Sequence, residues 1–161
     1  MRKLFLVALC LVGFTVAATA GKIDTKWHCG KATAEHSFDV GDTPNHTYAI
    51  GQGTCTASGG SSGEKSGTWT QFINAWKEKV ESHGHFNVTM DDGDMVYYTY
   101  TESSSDMKHF SNKWKIEDGT GKHKSIKGSG TCSGMQNDDG SSDWTCTGTT
   151  TMTAASAKKK G

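Results

Sequence analysis

The chain has 161 residues, with 17 basic and 17 acidic side chains, 20 glycines and a single proline. A net charge of zero argues against the strongly basic face that nucleic-acid-binding domains carry, so we expect no nucleic-acid partner. Abundant glycine, with threonine, serine and aromatic residues in short alternating segments, favours an antiparallel all-β domain over a helical one. No motif predicts a cofactor, so we expect none.

Residues 1–20 have the three regions of a secretory signal peptide. Arg2 and Lys3 form the positive start, the run from Leu4 to Ala18 is apolar, and Ala18-Thr19-Ala20 matches an A-x-A cleavage site. The competing interpretation is a membrane anchor, but the run is shorter than the ~20 apolar residues that a spanning helix needs. We therefore expect cleavage near Ala20 and a periplasmic or secreted protein without a stable membrane anchor.

The remaining residues, 21–161, have a length suited to one domain with its own core. Loss of Arg2 and Lys3 with the leader leaves 15 basic residues (17 minus 2) against 17 acidic ones. Three lysines, Lys158 to Lys160, stand at the end of the chain. We interpret this end as a flexible, solvated tail of a single β-barrel domain.

Four cysteines lie outside the leader, and an even number in an exported chain implies disulfides. They are Cys29, Cys55, Cys132 and Cys146. The first two are equidistant from Asp42 and the last two from Asp139, and both aspartates lie in turn-rich runs. Hairpins folded there would place the members of each pair opposite one another, so we predict the bridges Cys29–Cys55 and Cys132–Cys146. A reactive or metal-binding thiol pair is the alternative, but no C-x-x-C spacing supports it.

The first half of the mature chain contains one ambiguous segment, which follows a glycine- and serine-rich stretch. Gly59 to Gly67 is a flexible surface loop on composition. In the segment after it, Phe72, Trp76 and Val80 would share one helical face, whereas Trp69, Gln71 and Ile73 alternate as in a strand. We expect an extended start with a helical turn near Ala75–Lys79, and the choice between helix and strand stays open for residues 70–81.

Two hairpins follow. His85 to Met90 and Met95 to Thr101 alternate apolar and polar residues around Asp92-Gly93, which marks a reversal. The next hairpin has a half-buried strand at 113–117, a glycine turn at 118–121 and a return strand with Gly128, Gly130 and Cys132 on one face. The last strand spans Trp144 to Thr153 and is rich in threonine.

The two halves share a short motif. Gly51 to Cys55 and Gly128 to Cys132 both read Gly-x-Gly-Thr-Cys, and a Trp-Thr pair follows each of them later in the chain. An old duplication would explain this recurrence. One geometric need that is met twice, small residues where a barrel wall turns a corner, would explain it equally well.

These segments carry a family resemblance. The chain resembles small exported bacterial proteins of the allene oxide cyclase-like barrel family in four segments, which are Trp114-Lys-Ile, Gly119-Thr-Gly-Lys122, Ile126 to Cys132 and Trp144 to Gly148. The resemblance covers residues 84–152 well and the first half loosely. It implies a closed antiparallel barrel of about eight strands. Plant dirigent proteins share this fold in outline, and the fold is calycin-like because its members use the barrel interior, as lipocalins do. No position matches a catalytic carboxylate of the plant cyclases, so the resemblance implies the fold without their chemistry.

One set of aromatic residues is the best candidate for a ligand-lining surface. Its members are Trp69, Phe72, Trp76, Phe86, Tyr98, Tyr100 and Trp114. A packed core is the simpler interpretation for a small barrel. The functional alternative is a cavity for an apolar small molecule, with tyrosine hydroxyl groups that orient it.

Metal and acid–base sites have less support. His83 and His85 would lie on one face of a strand, as metal ligands can, but we expect that face to be solvated and predict no metal site. Acid–base catalysis requires a buried ionisable group, and the sequence only leaves Glu78, Glu102, His85 and His109 as candidates without selecting one.

The sequence thus favours a non-enzymatic barrel that binds a small hydrophobic ligand, apolar or aromatic, or serves as a structural scaffold. The alternative is a cyclase- or isomerase-like enzyme that acts inside the barrel. An ionisable side chain that projects into an otherwise apolar cavity would discriminate between them. Ligand identity and oligomeric state stay open.

Overall fold

The computed structural model describes residues 18–153, and the fold consists of antiparallel strands joined by short turns. One turn of 3-10 helix, Gly121–His123, separates β7 from β8. No helix in residues 18–153 is long and apolar enough to cross a membrane. The strands are β1 (Ala18–Cys29), β2 (Ala34–Asp39), β3 (His46–Gly60), β4 (Glu64–Trp76), β5 (Lys79–Met90), β6 (Met95–Ser104), β7 (His109–Gly119), β8 (Ile126–Gln136) and β9 (Ser142–Thr153).

The sheet closes on itself through β1. This strand pairs with β9 along its whole length and with the second half of β3, where Thr25 to Cys29 lie opposite Gly60 to Cys55. The closed ring therefore contains β1 and β3 to β9, and β2 pairs with the first half of β3 outside it. The fold is an all-β, eight-stranded antiparallel barrel, as predicted, with one additional outer strand.

Both predicted disulfides are present. Cys29 is bonded to Cys55, and Cys132 is bonded to Cys146. The members of each pair are direct partners in the strand register, as predicted. Cys132 and Cys146 lie opposite each other in one hairpin, whereas Cys29 lies on β1, and β2 stands between it and the turn that precedes β3. The first bridge joins β1 to β3 and so fastens the pairing that closes the barrel. The second joins the neighbouring strands β8 and β9.

Apolar side chains fill one end of the barrel. Val88 and Val96 are fully buried, and Met90, Ile116 and Ile126 pack beside them at the same end. These side chains alternate with solvent-facing residues along their strands, because neighbouring residues of a strand point to opposite faces. These side chains do not fill the barrel interior toward the other end.

In each Gly-x-Gly-Thr-Cys motif, a glycine leaves space for the indole ring of a tryptophan. A Cβ added at Gly53 of β3 would overlap the ring of Trp69 on β4, and one added at Gly130 of β8 would overlap the ring of Trp114 on β7. In both motifs the cysteine that follows forms a disulfide. The motif therefore meets the same packing need twice, because in each case a tryptophan of a neighbouring strand packs over a glycine.

Two local expectations were wrong. The predicted loop at 59–67 is mostly strand, because β3 runs to Gly60 and β4 starts at Glu64. A backbone hydrogen bond from Ser61 N–H to the Asp24 carbonyl joins the intervening turn to β1. The predicted helical turn at 75–79 is a hairpin: β4 continues to Trp76, Lys77 has φ 55°, and β5 begins at Lys79. In both cases strand pairing along the barrel wall outweighs local composition.

The two ends of the chain lie largely outside the described residues. The predicted signal peptide occupies residues 1–20, and the lysine-rich tail falls within residues 154–161. Of the predicted leader only Ala18 to Ala20 are described, and they form the start of β1 opposite Thr151 to Thr153 of β9.

Candidate functional site

A cavity of about 670 Å³ occupies the interior beyond the packed end. Its volume lies in the range of roughly 300–1,000 Å³ that is usual for small-molecule sites. The strands present aromatic side chains to it because the small residues of β3 and β8 leave room for large side chains on their neighbours. These aromatic residues are Trp27, Trp69, Phe86, Tyr98, Tyr100, Phe110, Trp114 and Trp144.

The structure divides the predicted aromatic set. Trp69, Phe86, Tyr98, Tyr100 and Trp114 line the cavity. Phe72 and Trp76 do not, and this corrects their assignment. Phe72 is 56% exposed and stacks on the ring of His83, while the ring of Trp76 faces His46. Both lie on the outer face of β4 because Trp69, Gln71, Ile73 and Ala75 take the inner one.

Three of the aromatic lining residues were not predicted from the sequence, and these are Trp27, Phe110 and Trp144. A signal for two of them was present. Trp27 and Trp144 each stand two residues before a disulfide cysteine, and residues two apart in a strand share a face. Since both disulfides face the interior of the barrel, these two indoles do so as well.

The floor of the cavity holds a buried carboxyl group. Glu64, the first residue of β4, accepts hydrogen bonds from Thr25 Oγ1 of β1 and from Tyr98 Oη of β6, the latter at 2.6 Å. Burial raises the pKa of Glu64, although the two hydrogen bonds act in the opposite direction. Burial, together with the charge of Glu64, also raises the pKa of Tyr98. The sequence did not indicate Glu64, because it lies in a stretch whose composition is that of a loop.

A second carboxyl group lies on the wall. Glu102 of β6 accepts a hydrogen bond from Ser82 Oγ of β5 at 3.2 Å. Burial raises the pKa of Glu102 from its ordinary value of 4.5 to about 7, and the Ser82 hydrogen bond opposes this change. On the same strand Tyr100 donates a hydrogen bond of 2.9 Å to Gln71 Oε1, and burial, followed by the charge of Glu102, raises its pKa. Glu102 is thus an ionisable side chain in an aromatic cavity, which is the feature that the enzymatic hypothesis requires.

Two buried polar atoms on β7 have no protein partner among residues 18–153. They are Asn112 Oδ1 and Trp114 Nε1. Asn112 is the register partner of Glu102, and Trp114 is that of Tyr100, so both belong to the same part of the cavity wall. Buried polar atoms are usually hydrogen-bonded, so these two atoms mark a part of the wall whose polar groups the protein leaves unsatisfied.

The weak metal candidates are separate from the cavity. His83 and His85 point outward from β5 and are exposed. In the described part of the chain, one other group, Asp92, Asp94 and His123, has ligand atoms within 4.8 Å of one another. The ammonium group of Lys122 lies 3.6 Å from Asp92, so ion pairs within the chain already partner this group. None of the other acid–base candidates, Glu78, His85 and His109, lines the cavity.

Comparison with known proteins supports the fold. A pterocarpan synthase dirigent protein has a similar structure, with a TM-score of 0.53 over 95% of this chain and 99% of that chain at 11% sequence identity. The fold is a dirigent-like barrel. Neither a family model nor a curated protein sequence matches this chain. At this identity the likeness describes the architecture and not the activity.

Proposed function

We propose that this protein is an exported barrel that binds a small apolar or aromatic molecule in its interior. The observation that carries the proposal is the cavity of about 670 Å³ with aromatic walls, in a barrel whose opposite end holds buried apolar side chains. Rings on a rigid sheet offer large apolar contact areas with little loss of conformational entropy on binding.

Export is part of the same proposal. Two disulfides suit an extracellular or periplasmic compartment, and the predicted signal peptide at residues 1–20 would deliver the chain there. The resemblance to small exported bacterial proteins supports this location as well. The structurally similar protein is named a pterocarpan synthase, so in that protein a barrel of this kind accompanies small-molecule chemistry.

Native mass spectrometry tests the proposal directly. Protein purified from the exported fraction of its own source is expected to carry an additional mass that disappears on denaturation. The variant Ala49→Trp places an indole on the inner face of β3 and is expected to lose that mass. Ile50→Trp adds the same group to the exposed outer face one residue away and should retain it. Equal retention by both variants would contradict binding in the cavity.

The alternative function is that of a cyclase- or isomerase-like enzyme, and Glu102 is the observation that favours it. A carboxyl group with a pKa of about 7 transfers protons efficiently near neutral pH. Both reactions conserve the mass of the substrate and change its shape. Liquid chromatography of molecules recovered from the exported fraction would reveal a new retention time at unchanged mass, and this product should be absent with Glu102→Gln.

A further inference from the structure

The charges within the cavity are predominantly negative. Its charged lining residues are Lys31, Glu35, Glu64 and Glu102. Lys31 and Glu35 belong to the segment around the start of β2, outside the closed ring, whereas Glu64 and Glu102 lie on ring strands. Within residues 18–153, no lysine, arginine or histidine nitrogen lies within salt-bridge distance of either Glu64 or Glu102.

The two interior carboxyl groups differ in how many hydrogen bonds they accept from the protein. Thr25 and Tyr98 each donate a hydrogen bond to a different oxygen of Glu64. Glu102 receives one hydrogen bond from the described residues, from Ser82 to Oε1. Its Oε2 is therefore open to a donor from a ligand. Asn112 Oδ1, on its register partner, also lacks a hydrogen-bond partner among residues 18–153, but this atom is fully buried.

Aromatic residues lie next to Glu102 on the cavity wall. Tyr100 precedes Glu102 by two residues on the same face of β6, and Trp114 lies across from Tyr100 on β7. The faces of such rings attract cations through their quadrupoles, most strongly in a desolvated site. An ammonium group has three donors and no acceptor, which suits the unpartnered oxygen of the Glu102 carboxylate beside a ring.

We propose that the cavity selects organic cations, in which an ammonium group on an apolar or aromatic skeleton pairs with the Glu102 carboxylate. The inference rests on the proposed binding function and specifies its ligand class. The physical reason is the cost of an isolated carboxylate in an apolar site, which a paired cation offsets. A carboxylate ligand would meet like charge in the same position.

The inference predicts a pH dependence. An ammonium ligand requires ionised Glu102, whose pKa is about 7 without a ligand, so binding below that pH must release its proton. The titratable groups that share the cavity are Lys31, Glu35, Glu64, Tyr98 and Tyr100. The neighbouring strands β5 and β7 place Ser82 and Asn112 beside Glu102, and neither titrates in this range. The affinity for an amine should therefore rise as the pH increases through about 7.

Three probes with one ring system test the inference: naphthylmethylamine, naphthylmethanol and naphthoic acid. Quenching of tryptophan fluorescence reports binding because several indoles line the cavity. At about pH 8 the amine is protonated and Glu102 is ionised, and we expect the amine to bind at least about tenfold more tightly than the alcohol, since charge-assisted hydrogen bonds are about twice as strong as neutral ones. Naphthoic acid should bind most weakly.

The variant Glu102→Gln should remove the preference for the amine and retain binding of the alcohol. Glu81→Gln, which changes an exposed carboxylate on the outer face of β5, is the matched control and should leave the order of the probes unchanged. Equal binding of amine and alcohol by the native protein would overturn the cation inference and leave the binding function intact. Failure of all three probes to bind would overturn both.

Discussion

Tyr98 donates a hydrogen bond to Glu64 across the barrel interior, with 2.6 Å between Oη and Oε1. The two residues lie on β6 and β4, which are separated by β5, and Thr25 of β1 donates to the other oxygen of the same carboxyl group. Glu64 therefore links three strands that do not pair with one another. The bond ties the floor of the cavity together independently of the backbone ladder.

Removal of this hydroxyl should destabilise the barrel. Tyr98→Phe leaves a buried carboxyl oxygen without its donor, and we expect the free energy of unfolding to fall by about 1–3 kcal/mol. Tyr97→Phe is the control, because this neighbouring side chain points out of the barrel and makes no side-chain hydrogen bond within residues 18–153. Urea denaturation near neutral pH measures both variants. A similar loss in the two would show that the bond to Glu64 contributes little.

Glu102 should make stability depend on pH. Its pKa is raised from 4.5 to about 7 in the folded protein, so the folded state binds more protons than the unfolded state between these values. The stabilisation is complete below about pH 4.5 and is lost as the pH rises through about 7, with an upper limit of about 3 kcal/mol. The experiment is urea denaturation across this range for the native protein and Glu102→Gln. A constant difference between the two proteins would refute the raised pKa.

The glycine at position 53 should not tolerate a methyl group. A Cβ there would overlap the indole of Trp69, and we expect Gly53→Ala to cost about 1–3 kcal/mol through overpacking. Gly59→Ala is a control on the same strand, since the nearest atom to its Cβ would be Lys26 Cδ at 3.9 Å. Thermal unfolding of both variants measures the difference. An unchanged midpoint for Gly53→Ala would mean that Trp69 is free to move away.

The two disulfides should contribute unequally. Cys29–Cys55 spans 26 residues and Cys132–Cys146 spans 14, and each is expected to stabilise the fold by about 2–4 kcal/mol. Loop-closure entropy alone makes the longer bridge worth about 0.5 kcal/mol more. We compare denaturation of the Cys29→Ala/Cys55→Ala and Cys132→Ala/Cys146→Ala variants. A larger loss for the second pair would indicate that the bridge between β1 and β3 is not needed to hold the barrel closed.

Much of the fold could be predicted from local patterns. The alternation from His85 to Thr101 identified the hairpin of β5 and β6. The symmetric cysteine spacing identified the Cys132–Cys146 bridge, because pairing in an antiparallel hairpin follows from distance to the turn. The same spacing predicted the correct partners for Cys29 and Cys55, although barrel closure through β1 and β3 pairs them. The prediction failed where two periods competed. Phe72 and Trp76 fit a helical face, but β4 is a strand as far as Trp76. Side chains alternate between the two faces of a strand, and this alternation places Phe72 and Trp76 on the outer face of the barrel.

The carboxyl groups of the site could be selected only with the structure. Glu64 lies in a glycine-rich stretch whose composition indicates a loop, and only barrel closure brings Thr25 and Tyr98 to it from distant parts of the chain. Glu102 was one of several acid–base candidates with equal support. Its burial, and hence the rise of its pKa, depends on neighbours from β5 and β7 rather than on adjacent residues.

By itself the sequence determined the all-β class, the hairpin order and the disulfide pairing of this protein, because these depend on spacing along the chain. Whether the interior is filled or open was decided only by the tertiary structure. The same aromatic residues could pack into a core or wall a cavity, and the outcome depends on how eight strands distribute large side chains and glycines over one enclosed volume.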